Sequence, residues 1–233
     1  MGLLALAIAP GIAICLFIYA KDKYNREPLW MLLLAFVLGG LSIIPAVGIQ
    51  MAYGLDISHD AASVAVFAYC IVAISEEGSK FLMLRLFIYP RKHFDDPFDG
   101  IVYAVMLGMG FATVENIGYV YQYGVSTGIM RMFLSVPAHG TFAVLMGYFV
   151  GYAKFQPNKL YYFTLAILLP VLFHGTFDFF IFVGTHSLIT LGAVVSFILA
   201  LFLSFKAISK KQQLSKIYQE EKSSNLPTDI TSL

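Results

Sequence analysis

The sequence predicts an all-α bundle of about seven membrane-spanning helices, with its N-terminus outside and its C-terminus in the cytosol. Three observations carry that expectation. Of the 233 residues, 59% are hydrophobic and 12% charged, and the mean hydropathy is +0.77; soluble domains carry about a quarter charged residues. The apolar residues fall in long blocks without an amphipathic period, and blocks of about 18 or more cross a bilayer. Twelve of the fifteen Lys and Arg lie in segments 21–29, 89–99, 153–159 and 206–233, and the intervening loops carry none. Basic loops stay on the cytosolic side, which fixes the expected orientation.

The first block, 2–20, has no basic residue before it and is followed by Lys21 and Lys23. It reads as a retained N-out anchor rather than a cleaved signal peptide. The second, 30–52, runs from the basic loop KDKYNREPL to the uncharged-to-acidic loop GLDISHD. The third, 61–88, contains SEEGSK at 75–80 and ends near Arg85, which can snorkel to the inner surface. The fourth, 100–123, follows YPRKHFDDPFD and contains FATVEN at 111–116. The fifth, 129–152, follows GVSTG, has Arg131 near its outer end as a second snorkelling candidate, and contains PAHGTF at 137–142. The sixth, 160–183, contains FHGTFD at 173–178, and the seventh, 187–205, follows THS. Such short connections leave no room for a soluble domain. Residues 1–205 are expected to form one membrane domain and 206–233 a cytosolic tail, basic and then polar, solvated and with a disordered end. Cys15 and Cys70 lie in apolar blocks and read as buried thiols rather than a disulfide or metal pair. A net charge of +1 offers no electrostatic footprint for nucleic acid.

Ionised side chains inside a span cost about 2.5–3.5 kcal/mol or more each, so the polar stretches point to function. Glu76 and Lys80 are four apart and Glu77 and Lys80 three apart, so one lysine can bridge both carboxylates. The same spacing puts Phe111 below Glu115 and His174 beside Asp178. HGTF occurs at 139–142 and again at 174–177 on neighbouring spans. Glu115, His139 and His174 all lie about 12–15 Å below the outer boundary at 1.5 Å per residue. Gly78, Ser79, Gly108, Gly110, Gly140 and Gly175 are small enough to let helices approach there. His59, His93 and His186 fall in loops without such company.

Two adjacent carboxylates in a medium of low dielectric cannot both ionise cheaply. A carboxylate poised beside water is a general base able to activate it against a peptide carbonyl and return the proton to the leaving amine. The histidines could stabilise the developing oxyanion. Ser75 and Ser79 have no base aimed at them, so non-covalent hydrolysis fits better than a serine nucleophile. Two other classes compete: a non-catalytic scaffold, and a proton-coupled transporter built on the same residue types. Against a transporter stands the lack of repeated halves and paired broken helices. Four carboxylates against Lys80 alone leave an excess of negative charge, to be relieved by protons or by a divalent cation. Zinc on Glu76, Glu115, His139 and His174 is an acceptable donor set, but H-E-x-x-H is absent, and the metal-free reading is preferred.

E-E-x-x-K (Glu76, Glu77, Lys80), F-x-x-x-E-N (Phe111, Glu115, Asn116), the histidine of the fifth span (His139) and H-x-x-x-D (His174, Asp178) together resemble the PrsW intramembrane proteases. KDKYNREP and HFDDPFDGIVYA extend the resemblance over most of residues 1–185. That family is similar to the CAAX prenyl endopeptidases, which carry E-E-x-x-x-R, F-x-x-x-H and H-x-x-x-N; here Glu115 and Asp178 depart from that pattern. The resemblance implies a cell-membrane endopeptidase whose catalytic set is Glu76, Glu77, Lys80, Glu115, His139, His174 and Asp178. It implies a first, site-1 cut in a single-pass anti-sigma factor within the lipid bilayer. A second protease then acts, and a sigma factor is released in response to envelope stress.

Overall fold

The computed structural model describes residues 2–54, 60–183 and 187–224 of the chain. His59, His186 and the end of the tail, with their expected roles, lie outside the described residues. Among those described, the regular structure is helical throughout: α1 (Gly2–Lys21), α2 (Leu29–Leu41), α3 (Ile43–Tyr53), α4 (Ala61–Ala65), α5 (Ile74–Met83), α6 (Asp99–Phe133), α7 (Ser135–Phe155), α8 (Lys159–Val183) and α9 (Ser187–Ser224). Wider π-helical turns over Val66–Ala73 and Leu84–Ile88 join α4 to α5 and extend α5.

Local chemistry sets the boundaries. Asp60 caps α4, its side chain accepting from the backbone N–H groups of Ala62 at 3.1 Å and Ser63 at 3.0 Å. That satisfies donors which the first turn of a helix leaves orphaned. The Ser42 hydroxyl donates to the Gly39 carbonyl at 2.6 Å, where α2 breaks into α3. Gly124, at φ 82° and ψ −166°, interrupts α6, in a backbone conformation that side chains with a Cβ rarely take.

α6 is the hub, with α1, α2 and α7 packed around it and α8 and α9 against α7. Every residue of α6 from Asp99 to Thr113 is buried. Lipid tails give apolar helices little reason to associate, so close backbone contact matters more here than in water. At Gly110 a Cβ would collide with the Phe36 carbonyl group, and at Gly39 with that of Leu107; α2 and α6 therefore touch backbone to backbone. Large apolar side chains such as Leu33, Ile44, Met51, Leu86 and Phe202 face outward, as they do in a protein solvated by hydrocarbon.

Six helical stretches are long and apolar enough to cross a membrane among the described residues. The difference from about seven lies in one place. The stretch Asp99–Phe155 runs for 57 residues as a unit, yet its halves lie antiparallel, with Gly100 against Gly147 at one end and Glu115 beside His139 further along.

Three expectations need correction. Cys70 is exposed on the outer face, although Cys15 is buried and both thiols are free. Gly78 has nothing within 4 Å of the position of a Cβ among the described residues, so it does not mark a close helix approach. The tail is not simply solvated: α9 continues as one helix to Ser224, and Ala207, Ile208, Lys211, Leu214 and Ser215 along it are buried. The Gln212 side chain donates to the Lys21 carbonyl and Gln219 to Asp96, which straps this helix across the connections.

Candidate active site

α5 carries the first part of the site. It is a regular α-helix of ten residues between two π-helical turns, a deformation frequent where function needs unusual side-chain placement. Within it the i, i+3 and i, i+4 rules hold, so Glu76, Glu77 and Lys80 project to one side. All three are buried, Glu77 completely. The Lys80 ammonium lies 2.7 Å from Glu77 Oε1 and 3.7 Å from Glu76 Oε2. It also stands 4.1 Å above the Phe111 ring of α6, a cation–π contact that strengthens away from water.

α7 brings His139 and α8 brings His174. Lys80 Nζ lies 3.3 Å from His139 Nδ1, and His139 Nε2 lies 3.0 Å from Glu115 Oε2. An ammonium can only donate, so these partners assign Nδ1 as the acceptor and Nε2–H as a donor to Glu115. His174 places Nδ1 2.8 Å from Glu77 Oε1 and Nε2 3.2 Å from Asp178 Oδ2, with Glu76 Oε2 at 3.8 Å. Both of its nitrogens face carboxylates, which matches a doubly donating imidazolium. Phe142 stacks on His174 with ring centroids 5.0 Å apart, and the two histidine rings meet edge to face at 5.1 Å.

All seven side chains singled out in the sequence therefore share one network. The structure adds two more that sequence reasoning missed. Arg131, read as a snorkelling residue, instead turns inward: Nη2 lies 2.5 Å from Glu115 Oε2, and Nε donates to Asn116 Oδ1 at 3.0 Å. Sixteen residues of straight helix span about 24 Å, so this contact exists only because Gly124 folds residues 125–133 back toward Glu115. The GVSTG stretch was the available signal. Gln50 of α3 donates to Ser75 and to Glu76 Oε1, both at 3.3 Å; a lone amide in an apolar span was its signal. With Arg131 counted, four carboxylates face two fixed cations and two histidines, a smaller imbalance than the sequence implied.

Glu76 Oε2 and Glu77 Oε2 are buried and find no hydrogen-bond partner among the described residues. Glu76, His139 and His174 each offer a donor atom within 4.8 Å of the others. Two imidazole nitrogens and a carboxylate oxygen suit zinc by type, with Glu77 on His174 Nδ1 as the orienting partner that such ligands use. Both nitrogens of His139 are already engaged by Lys80 and Glu115, so a metal there requires one of those contacts to open.

Comparison with known proteins agrees with the motifs. The model of the PrsW family intramembrane metalloprotease matches residues 27–207. The chain is 40% identical over 178 residues to protease PrsW of Geobacillus kaustophilus, covering 76% of this chain and 78% of that one. It is 36% identical over 180 residues to protease PrsW of Bacillus subtilis, covering 76% and 82%. To protease PrsW of Clostridioides difficile it is 36% identical over 187 residues, covering 77% and 79%. No solved structure matches.

Proposed function

Because this chain belongs to the PrsW family of intramembrane proteases, we propose that it is an endopeptidase of the cell membrane in which Glu76 activates water against the peptide bond of a single-pass anti-sigma factor. The observation that carries the reading is Glu76 Oε2: buried, without a hydrogen-bond partner among the described residues, and 3.8 Å from His174 Nε2. A substrate water donating to that oxygen would lose its proton to Glu76 as its oxygen bonds to the scissile carbonyl carbon. The carbonyl oxygen becomes an oxyanion, which His174 Nε2–H, shared with Asp178 at 3.2 Å and 3.8 Å from Glu76 Oε2, would stabilise. Glu76 then returns the proton to the amide nitrogen as the C–N bond breaks, leaving a carboxyl and an amine terminus. Glu77 and Asp178 hold the His174 ring, Lys80 holds Glu77, and Arg131 and His139 hold Glu115.

A second reading rests on the three donor atoms of Glu76, His139 and His174 and on the word metalloprotease in the family's description. A zinc ion there would act as a Lewis acid and lower the pKa of its bound water. The metal-free reading is preferred because Lys80 and Glu115 already occupy both nitrogens of His139.

The deciding experiment uses full-length protein in liposomes with a purified single-pass anti-sigma factor, followed by product size and elemental analysis. Cleavage by chelator-washed protein without bound metal, lost in Glu76→Gln, sustains the proposal. Stoichiometric zinc, lost with activity in His174→Ala and restored by added metal, sinks the metal-free mechanism. Cleavage of other single-pass proteins but no anti-sigma factor sinks the substrate class, and no cleavage of any substrate favours a scaffold or transporter.

A further inference from the structure

A second group of acidic side chains lies at the other end of α6. Asp99 opens that helix, sixteen residues before Glu115, or about 24 Å away along the axis. Glu27 comes from the α1–α2 connection and Asp95 from the segment leading into α6. Glu27, Asp95 and Asp99 each present a carboxylate oxygen within 4.8 Å of the others. Glu27 is 4% exposed and Asp99 0%, whereas the Asp95 side chain is 47% exposed and gives the group its opening to solvent.

The hydrogen bonds account for all but one buried oxygen of Asp99. Asp99 Oδ2 accepts from the backbone N–H groups of Asp95 at 2.8 Å and Asp96 at 2.7 Å. Asp99 Oδ1 is buried and has no hydrogen-bond partner among the described residues. Tyr103 donates its hydroxyl to Glu27 Oε2, and Asn25 donates to Asp95 Oδ1 at 2.9 Å. No lysine or arginine forms an ion pair with Glu27 or Asp99 among the described residues; Lys154 donates to the Tyr89 backbone carbonyl at 3.0 Å. Lys222 reaches only the exposed Asp95, at 3.6 Å, and buried Lys211 sits over the Tyr152 ring. Arg26 bonds through Nε to the Asp22 backbone carbonyl. Buried carboxylates left facing one another need a proton or a cation between them.

We propose that Glu27, Asp95 and Asp99 form a binding site for a hard divalent cation, calcium or magnesium, which clamps the α1–α2 connection and the approach to α6 onto the first turn of α6. The donors are all oxygens, which selects hard cations over zinc or copper. Calcium takes oxygen ligands at about 2.3–2.6 Å, so two of them reach across one ion at the separations found here. Asp96 shapes the rim, its Oδ1 held by the Phe98 N–H and its Oδ2 by Gln219 of α9. The site is thus tied to the far end of α9 as well.

The test uses full-length protein in detergent, stripped with chelator and titrated with CaCl₂ or MgCl₂ while thermal unfolding and binding heat are followed. One of the two ions is expected to bind saturably and raise Tm by several degrees, with KCl of equal ionic strength having no such effect. Asp95→Asn, a largely exposed substitution that leaves the buried pair intact, is expected to weaken that affinity about 10–100-fold. Glu27→Gln is expected to abolish it. In Glu76→Gln the shift should persist, which separates this site from the one at α5. The proposal fails if neither ion binds, if KCl reproduces the shift, or if Asp95→Asn and Glu27→Gln titrate like the unsubstituted protein.

Discussion

Two acidic clusters sit at two levels of the same helix, and they handle charge differently. Around Glu115 the carboxylates come with their own cations: Lys80 bridges Glu77 and Glu76, and Arg131 holds Glu115. Around Asp99 no cation pairs with the buried carboxylates among the described residues: Lys222 reaches only the exposed Asp95, buried Lys211 sits over a tyrosine ring, and a buried oxygen is left without a partner. The first arrangement is self-contained, as the proposed general base within hydrocarbon would require. The second is open toward the basic loops, where an ion can be drawn from solution. On the two roles proposed, burial alone does not tell a reacting carboxylate from a binding one; the position of the counter-charge does.

The largest effect expected is at Glu76. Glu76→Gln should lower the cleavage rate about 10²–10⁴-fold, the usual contribution of a general base, with unfolding unchanged within error. An active variant would erase the distinction drawn between the clusters. Next is Lys80→Met, which leaves Glu77 buried without its ammonium. Breaking a buried ion pair from one side costs about 3–5 kcal/mol, measurable as a large fall in Tm with loss of activity. A variant with unchanged Tm would mean the embedded cluster does not depend on its own cations.

The acids beside Asp99 should respond to pH in the absence of divalent ions. Burial pushes Glu27 up to about 7 from 4.5 and Asp22 up to about 6 from 3.8. A carboxyl raised by folding contributes its full stability below its unfolded value. That stability is lost as pH rises through the folded one. In chelator, Tm should therefore fall between about pH 4 and 7, and bound cation should flatten the slope. A Tm that rises over that window would show the cluster to be compensated already. Glu27→Gln sharpens the contrast with Lys80→Met by reversing its sign. A glutamine amide can donate to Asp99 Oδ1, so without cation this substitution should stabilise by about 1 kcal/mol. Smallest of all, Gln50→Ala removes two long hydrogen bonds at 3.3 Å. Interhelical bonds of this kind in membranes average about 0.6 kcal/mol, so only a slight fall in Tm and a modest loss of rate are expected.

The embedded cluster was legible in the sequence because its residues are costly anomalies in apolar blocks, and because α5 keeps strict α-helical spacing where Glu76, Glu77 and Lys80 lie. Arg131 was not, since an arginine near the outer end of a span is readily assigned to the membrane surface; its inward turn onto Glu115 depends on the backbone at Gly124, which is a three-dimensional fact. Asp95, Asp96 and Asp99 fall within five residues of one another in the stretch HFDDPFDG, but Glu27 lies sixty-eight positions earlier than Asp95. Nothing in their spacing announces that they meet. The tail misled for a similar reason: KAISKKQQLSKIYQ reads as polar, yet Gln212 and Gln219 find partners on the connections it crosses and Lys211 is buried over Tyr152 of α7.

Where α2 meets α6, no side chain stands between the two backbones at Gly39 and Gly110. Hydrocarbon tails solvate a leucine about as well as another helix does, so oiliness cannot hold these two together, but matching shape can. Tolerance to mutation is thereby inverted relative to a water-soluble core. Trimming outward Leu33 or Phe202 changes little, because lipid fills the space. One added methyl group at Gly110 pries the helices apart, and the next residue along, Phe111, is the ring beneath the Lys80 ammonium. In this half of the bundle the most damaging substitution is the smallest addition, and Gly110→Ala measured in a bilayer should outweigh Leu33→Ala in both Tm and cleavage rate.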